Sequence, residues 1–237
     1  MEFVVEYSLE KDIKVYLDAL WQSKWVNYGK SYYEIGQKYL PVEFLDSLKD
    51  APTKEDAQNI VLKYFENTRS QKFDQGSVLI AKWFSRFLNE EKESIIHRLE
   101  KLYDQKFPFP KITVYLNTFF TNPYNYDEKW YMVGRDYNFW GLLGTSTHEL
   151  NHFMFYYYFR DKVATQGFER PAIEFLKEAL AVLTSNNPAT ENQNKTSVLP
   201  IQNFVYENRD KPIDKIIELV IKNKLLDNII TTLYIDI

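Results

Sequence analysis

The pentapeptide His148-Glu149-Leu150-Asn151-His152 sets two imidazoles four residues apart, with a carboxylate beside the first. On an α-helix, residues four apart lie one turn above each other on the same face, so both rings can aim a nitrogen at one ion. Glu149 then projects from the neighbouring face, within reach of a water on that ion but not ligating the ion itself, which is where a general base belongs. Two neutral imidazoles and a carboxylate suit Zn2+, and a fourth position left to water makes such a site catalytic rather than structural.

Composition narrows the third ligand. The 237 residues include 3 His and no Cys, which removes thiolate ligands, thiolate nucleophiles and disulfides together. His97 lies far upstream, and no His follows His152. The residues after His152 (Phe153-Met154-Phe155-Tyr156-Tyr157-Tyr158) lack the glycine and third histidine of a metzincin, and a deformylase-type site needs a cysteine. A carboxylate from the following helix remains. Glu174 and Glu178, one turn apart, both satisfy that condition.

The segment Phe175-Leu176-Lys177-Glu178-Ala179-Leu180-Ala181 resembles the gluzincin pattern in which an apolar pair, a variable residue and Glu precede a small residue, a bulky apolar one and Ala. Together with His148 to His152, it resembles a zincin metallopeptidase of gluzincin type over roughly residues 111 to 184. The resemblance implies a zinc-dependent hydrolase that cleaves a peptide or protein substrate, with His148, His152 and Glu178 holding Zn2+ and Glu149 as the catalytic base. Glu174 is then the reserve ligand or an outer support. Also implied is a zincin-like core of a small β-sheet, an active-site helix and a Glu-bearing helix. An edge strand at Lys129 to Val133 would bind the extended substrate through its main chain. Two positions depart from the pattern. Val182 stands where many members carry an acidic residue that orients a histidine, leaving Glu174 or Asp161 for that task. No downstream histidine is present to stabilise an oxyanion, and Tyr206 is the candidate in its place.

The elements that must hold these residues are largely helical. Apolar residues at helical spacing run from Asp12 to Leu40 (Ile13, Tyr16, Leu17, Leu20, Trp21 and Trp25) until Pro41 breaks the pattern. A cap signal at Thr53 and Asp56 opens a helix to Asn67, and another helix spans Ser77 to Tyr103 with an interruption near Asn89. Met1 to Ser8 and Lys111 to Asn117 read as strands, the second by alternation of Ile112, Val114 and Leu116 with polar neighbours; a further strand is predicted at Lys129 to Val133, closed by Gly134. The motif helix runs to about Arg160, Gln166-Gly167 turns the chain, and Pro171 and Pro212 open later helices. Ala189 to Ser197 reads as a polar loop containing the sequon Asn194-Lys195-Thr196. The fold class is therefore α+β and predominantly helical, with a helical N-terminal region over 1–106 and a zincin-like domain over 107–237.

Bulk properties bound the partners. Net charge is -4 with dispersed Lys and Arg, which argues against nucleic acid. No apolar run approaches the ~20 residues of a membrane span, and the acidic N-terminus does not read as an export signal, so a soluble cytoplasmic protein is expected. The 17% aromatic content reads as core material rather than as a ligand groove. Two rival readings stay open: a non-catalytic binding protein with a remnant zinc site, and a helical protein with no metal. Locally, Ser146-Thr147-His148-Glu149 also fits a capping box, which would start the helix at Ser146 and give Glu149 a purely local role.

Overall fold

The computed structural model describes residues 1–22, 26–27, 30–184 and 200–226. Trp25, the sequon at Asn194 and the loop at 189–197 fall outside them. The described residues form an α+β fold in which helix predominates. They group into two compact units, one made of residues 2–89 and 111–142 and the other of residue 1, 90–110 and 143–237. None of the described helices is long and apolar enough to cross a membrane.

In the first unit, β1 (Glu2–Tyr7), β4 (Lys111–Asn117), β5 (Tyr124–Asn125) and β6 (Trp130–Gly134) form one sheet in the order β1-β4-β6-β5. The alternation predicted for β4 has its physical result: Ile112, Val114 and Leu116 are fully buried. β4 lies parallel to both β1 and β6, while β5 pairs antiparallel with β6. The strand expected at an edge is thus internal. The turn before it folds back, so that Tyr124 pairs with Tyr131 and the Pro123 carbonyl accepts from the Met132 amide at 2.8 Å. The outer strands are β1 and β5.

The helix expected from Asp12 to Leu40 is also divided. α1 (Leu9–Leu20) stops where Trp21 turns extended, its indole N–H donating to the Ala51 carbonyl at 3.0 Å, and where Gln22 takes a φ of 50°. A small hairpin of β2 (Val26–Asn27) and β3 (Lys30–Ser31) follows, and then α2 (Tyr32–Gly36), opened by a capping box between Ser31 and Glu34. Next come α3 (Val42–Lys49) and α4 (Lys54–Thr68); the predicted cap of α4 forms, with the Thr53 side chain accepting from the Asp56 amide. α1, α3 and α4 bury Ile13, Leu17, Leu45, Leu48 and Val61 with Phe119 and Met132 in one core.

α5 (Phe73–Tyr103) continues through Asn89 without the predicted interruption. The Asn89 carboxamide accepts from the Phe3 amide at 3.1 Å and donates to the Phe3 carbonyl at 2.8 Å, and its Nδ2 also donates back to the Ser85 carbonyl one turn earlier at 2.8 Å, so its polar groups are satisfied within an unbroken helix.

The second unit contains the C-terminal part of α6 (Phe139–Tyr158), then α7 (Arg160–Ala164), α8 (Arg170–Ala181), a 3-10 turn at Val182–Thr184, α9 (Pro200–Glu207) and α10 (Ile213–Lys222). α6 begins well before Ser146, with the Asn138 side chain accepting from the Gly141 amide at 2.8 Å. Ser146 is therefore a buried helix-interior residue, and the local capping role for Glu149 does not form. Leu150, Phe153, Met154, Phe155 and Tyr156 are all buried, whereas Trp140 and Tyr157 of the same helix are exposed. Gly167 turns the chain at φ 89°, and Pro171 sits in the first turn of α8. α10 buries Ile213, Ile216, Ile217 and Val220, one stripe at helical spacing.

Candidate metal centre

α6 presents His148 and His152 one turn apart, their ring centroids separated by 4.4 Å at an interplanar angle of 75°. α8 supplies the carboxylate. Within the same unit, Glu178 Oε2 lies 3.5 Å from His148 Nε2, and Glu178 Oε1 lies 3.4 Å from His152 Nε2. One ligand-capable atom from each of the three residues falls within 4.8 Å of the others, a grouping that could hold a metal ion.

Two features fix the helices that bring these groups together. The buried Tyr103 hydroxyl donates to Asn151 Oδ1 at 2.7 Å, and Asn151 Nδ2 reaches the Leu180 carbonyl at 3.4 Å, which ties α6 to the C-terminal end of α8. α8 buries Ala172, Ile173, Leu176, Ala179 and Leu180, so its small and branched residues turn Glu178 toward the imidazoles.

Glu174 and Glu178 differ in their partners. Glu174 Oε1 accepts from the Tyr156 hydroxyl at 2.5 Å, and its Oε2 lies 3.1 Å from Lys177 Nζ. Both of its oxygens are thus engaged away from the imidazoles. Glu178 meets Lys177 Nζ at 2.9 Å through Oε1 and still faces both rings.

The cluster has an uneven electrostatic character. His152 is nearly fully buried, and burial pushes it down to about 3, so it stays neutral with a lone pair to give. Burial works in the same sense on His148, but the Glu178 carboxylate beside its ring and the charge of Glu149 outweigh it and raise its pKa. Burial would lift Glu178; the imidazoles and the Lys177 ammonium reverse that and hold it well below the usual carboxylate range. Glu149 is 5% exposed, and burial pushes it up to about 7. Its Oε2 is buried with no hydrogen-bond partner among the described residues.

Tyr206 lies half-buried on α9, with the Arg209 guanidinium 4.3 Å over its ring. The residues that sequence reasoning undervalued are Lys177 and Tyr156. Lys177 stands in the sequence only as the variable residue before Glu178, yet it is 3% exposed. The available signal was its helical spacing from Ile173, four residues before, and Leu180, three after, on the apolar stripe of α8. Set against models of protein families, curated proteins and solved structures, the chain matches none of them.

Proposed function

We propose that this chain is a zinc-dependent hydrolase acting on peptide bonds. The reading is carried by one observation, the convergence of two imidazole nitrogens from α6 and one carboxylate from α8 around a common point. Zinc bonds of about 2.0–2.1 Å place neighbouring ligand atoms of a tetrahedron roughly 3.3–3.4 Å apart. The nitrogen-to-carboxylate separations are 3.4 and 3.5 Å. Hydrogen bonds from ring nitrogen are shorter, about 2.7–3.2 Å. The spacing thus suits atoms sharing an ion better than atoms bonded to each other.

His148, His152 and Glu178 would hold the ion, and three protein ligands leave zinc a fourth position. A zinc ion bound there supplies Lewis acidity that polarises a carbonyl and acidifies a water. Glu149, next to His148 but outside the ligand group, has a buried oxygen with no hydrogen-bond partner among the described residues. That oxygen takes a proton during attack and returns it to the departing amine. Asn151 and Tyr103 hold the helices in register while this happens. The peptide class of substrate rests on the resemblance of His148 to His152 and of Phe175 to Ala181 to the gluzincin segments. Under the same reading, Tyr206 steadies the oxyanion.

Metal content and cleavage of a labelled unstructured protein, measured on one preparation, test the proposal. The wild-type protein retains zinc and cleaves. Glu149→Gln retains zinc and loses turnover by about 10²–10⁴-fold. A wild-type protein that takes up no zinc, or a Glu149→Gln variant that cleaves as well as the parent, ends this reading.

A further inference from the structure

α8 carries three charged residues on one side, Glu174, Lys177 and Glu178, and the central one is the most deeply buried. The Lys177 side chain is 4% exposed, against 32% for Glu174 and 35% for Glu178. An ammonium group so far from water is retained only where anions compensate it. Lys177 Nζ is 2.9 Å from Glu178 Oε1 and 3.1 Å from Glu174 Oε2. The other oxygen of Glu174 accepts from Tyr156, which lies one turn beyond His152 on α6. Tyr156, Glu174, Lys177, Glu178 and His152 therefore form a continuous run of polar contacts between α6 and α8.

We infer that Lys177 is a positioning residue for the metal centre: its buried ammonium, clamped by Glu174, grips the Glu178 carboxylate and fixes it in the orientation that faces both imidazoles. The inference rests on the metal-centre reading above and adds a residue which that reading does not use.

The physical need is clear from the neighbours. Glu174 and Glu178 are like charges one turn apart, which repel without a cation between them. Glu178 is a flexible, half-exposed side chain, and every rotamer that leaves the imidazoles costs preorganisation of the site. Lys177 removes both problems at once. Its positive charge also opposes the arrival of a cation, so two effects compete. Loss of partners that orient a metal ligand typically weakens affinity by about 10–100-fold. That places orientation ahead of charge relief and sets the expected sign.

The test compares the full-length wild type with Lys177→Met, Lys177→Arg, Glu174→Gln and Tyr156→Phe. Zinc affinity is measured by competition with a chromophoric chelator, and ligand geometry by the visible spectrum of the cobalt(II)-loaded protein. Lys177→Met weakens zinc binding by about 10–100-fold and alters the cobalt spectrum, while Lys177→Arg, which keeps charge and donors, recovers most of both. Glu174→Gln and Tyr156→Phe, which loosen the clamp and leave Lys177 in place, give smaller losses in the same direction, and they decide the matter if Lys177→Met does not fold. Unchanged or tighter zinc binding, with an unchanged cobalt spectrum, in all folded variants overturns the role of Lys177 and leaves the metal centre standing. A wild-type protein that binds neither zinc nor cobalt overturns the centre and the role of Lys177 with it.

Discussion

Asp12 and Glu149 are both buried carboxyl groups, 0% and 5% exposed, one in each compact unit, and their surroundings are opposite. Asp12 Oδ1 accepts from the Thr118 amide at 2.9 Å, and its Oδ2 from Arg69 Nη2 at 2.6 Å. Thr118 Oγ1 lies within 3.2 Å of both oxygens, and Arg69 Nη1 goes on to the Tyr7 hydroxyl at 2.9 Å. Both oxygens there have a donor. Glu149 keeps one oxygen buried with no hydrogen bond, beside a group of imidazole and carboxylate atoms that point at a shared space. A buried carboxyl kept for structure is matched atom by atom. One left with an unpartnered oxygen, as the proposed role of Glu149 requires, carries that capacity at a cost in stability.

That contrast can be broken by mutation. The largest expected effect is at the satisfied group: Asp12→Ala strands the Arg69 cation and costs about 3–5 kcal/mol in denaturant unfolding, with zinc uptake by the folded fraction unchanged. A loss under about 1 kcal/mol would mean that the Asp12 network behaves like a surface pair. Next, zinc at one hundred times its dissociation constant stabilises the wild type by about 2.7 kcal/mol in a thermal melt. Glu178→Ala abolishes that shift and reduces bound metal to background. Third, Glu149→Met removes an unsatisfied buried polar group and raises the stability of the metal-free protein by about 1–3 kcal/mol, opposite in sign to Asp12→Ala. A destabilised Glu149→Met would erase the distinction between the two carboxyls. The smallest change is Asn89→Ala, which removes both bonds to the Phe3 backbone and lowers stability by about 1 kcal/mol without touching the candidate metal centre.

What the sequence disclosed follows from the range of each interaction. His148 and His152 are legible because four residues on one helix fix their relation whatever surrounds them. The Thr53 cap and the alternation of β4 are legible for the same reason, each being decided within a few residues. Ser31-Tyr32-Tyr33-Glu34 carried an equally local signal for α2, one overshadowed by the apolar spacing that runs on past Leu20. Contacts made far along the chain stayed hidden. The parallel pairing of Glu2 with Lys111, the return of β5 onto β6 and the use of Asn89 by Phe3 leave no periodic trace. Lys177 shows a different limit: its charge masked its place on the apolar stripe of α8, where Ile173 stands four residues before it and Leu180 three after.

The Asn89 carboxamide does for Phe3 what one residue of a fifth strand would do, accepting from its amide and donating to its carbonyl on an outermost strand. A bare sheet margin is a template on which another chain can add by backbone pairing. The side chain of α5 closes that template at its first rungs, so a second copy could lengthen the sheet there only by first displacing a bond pair already made within the chain.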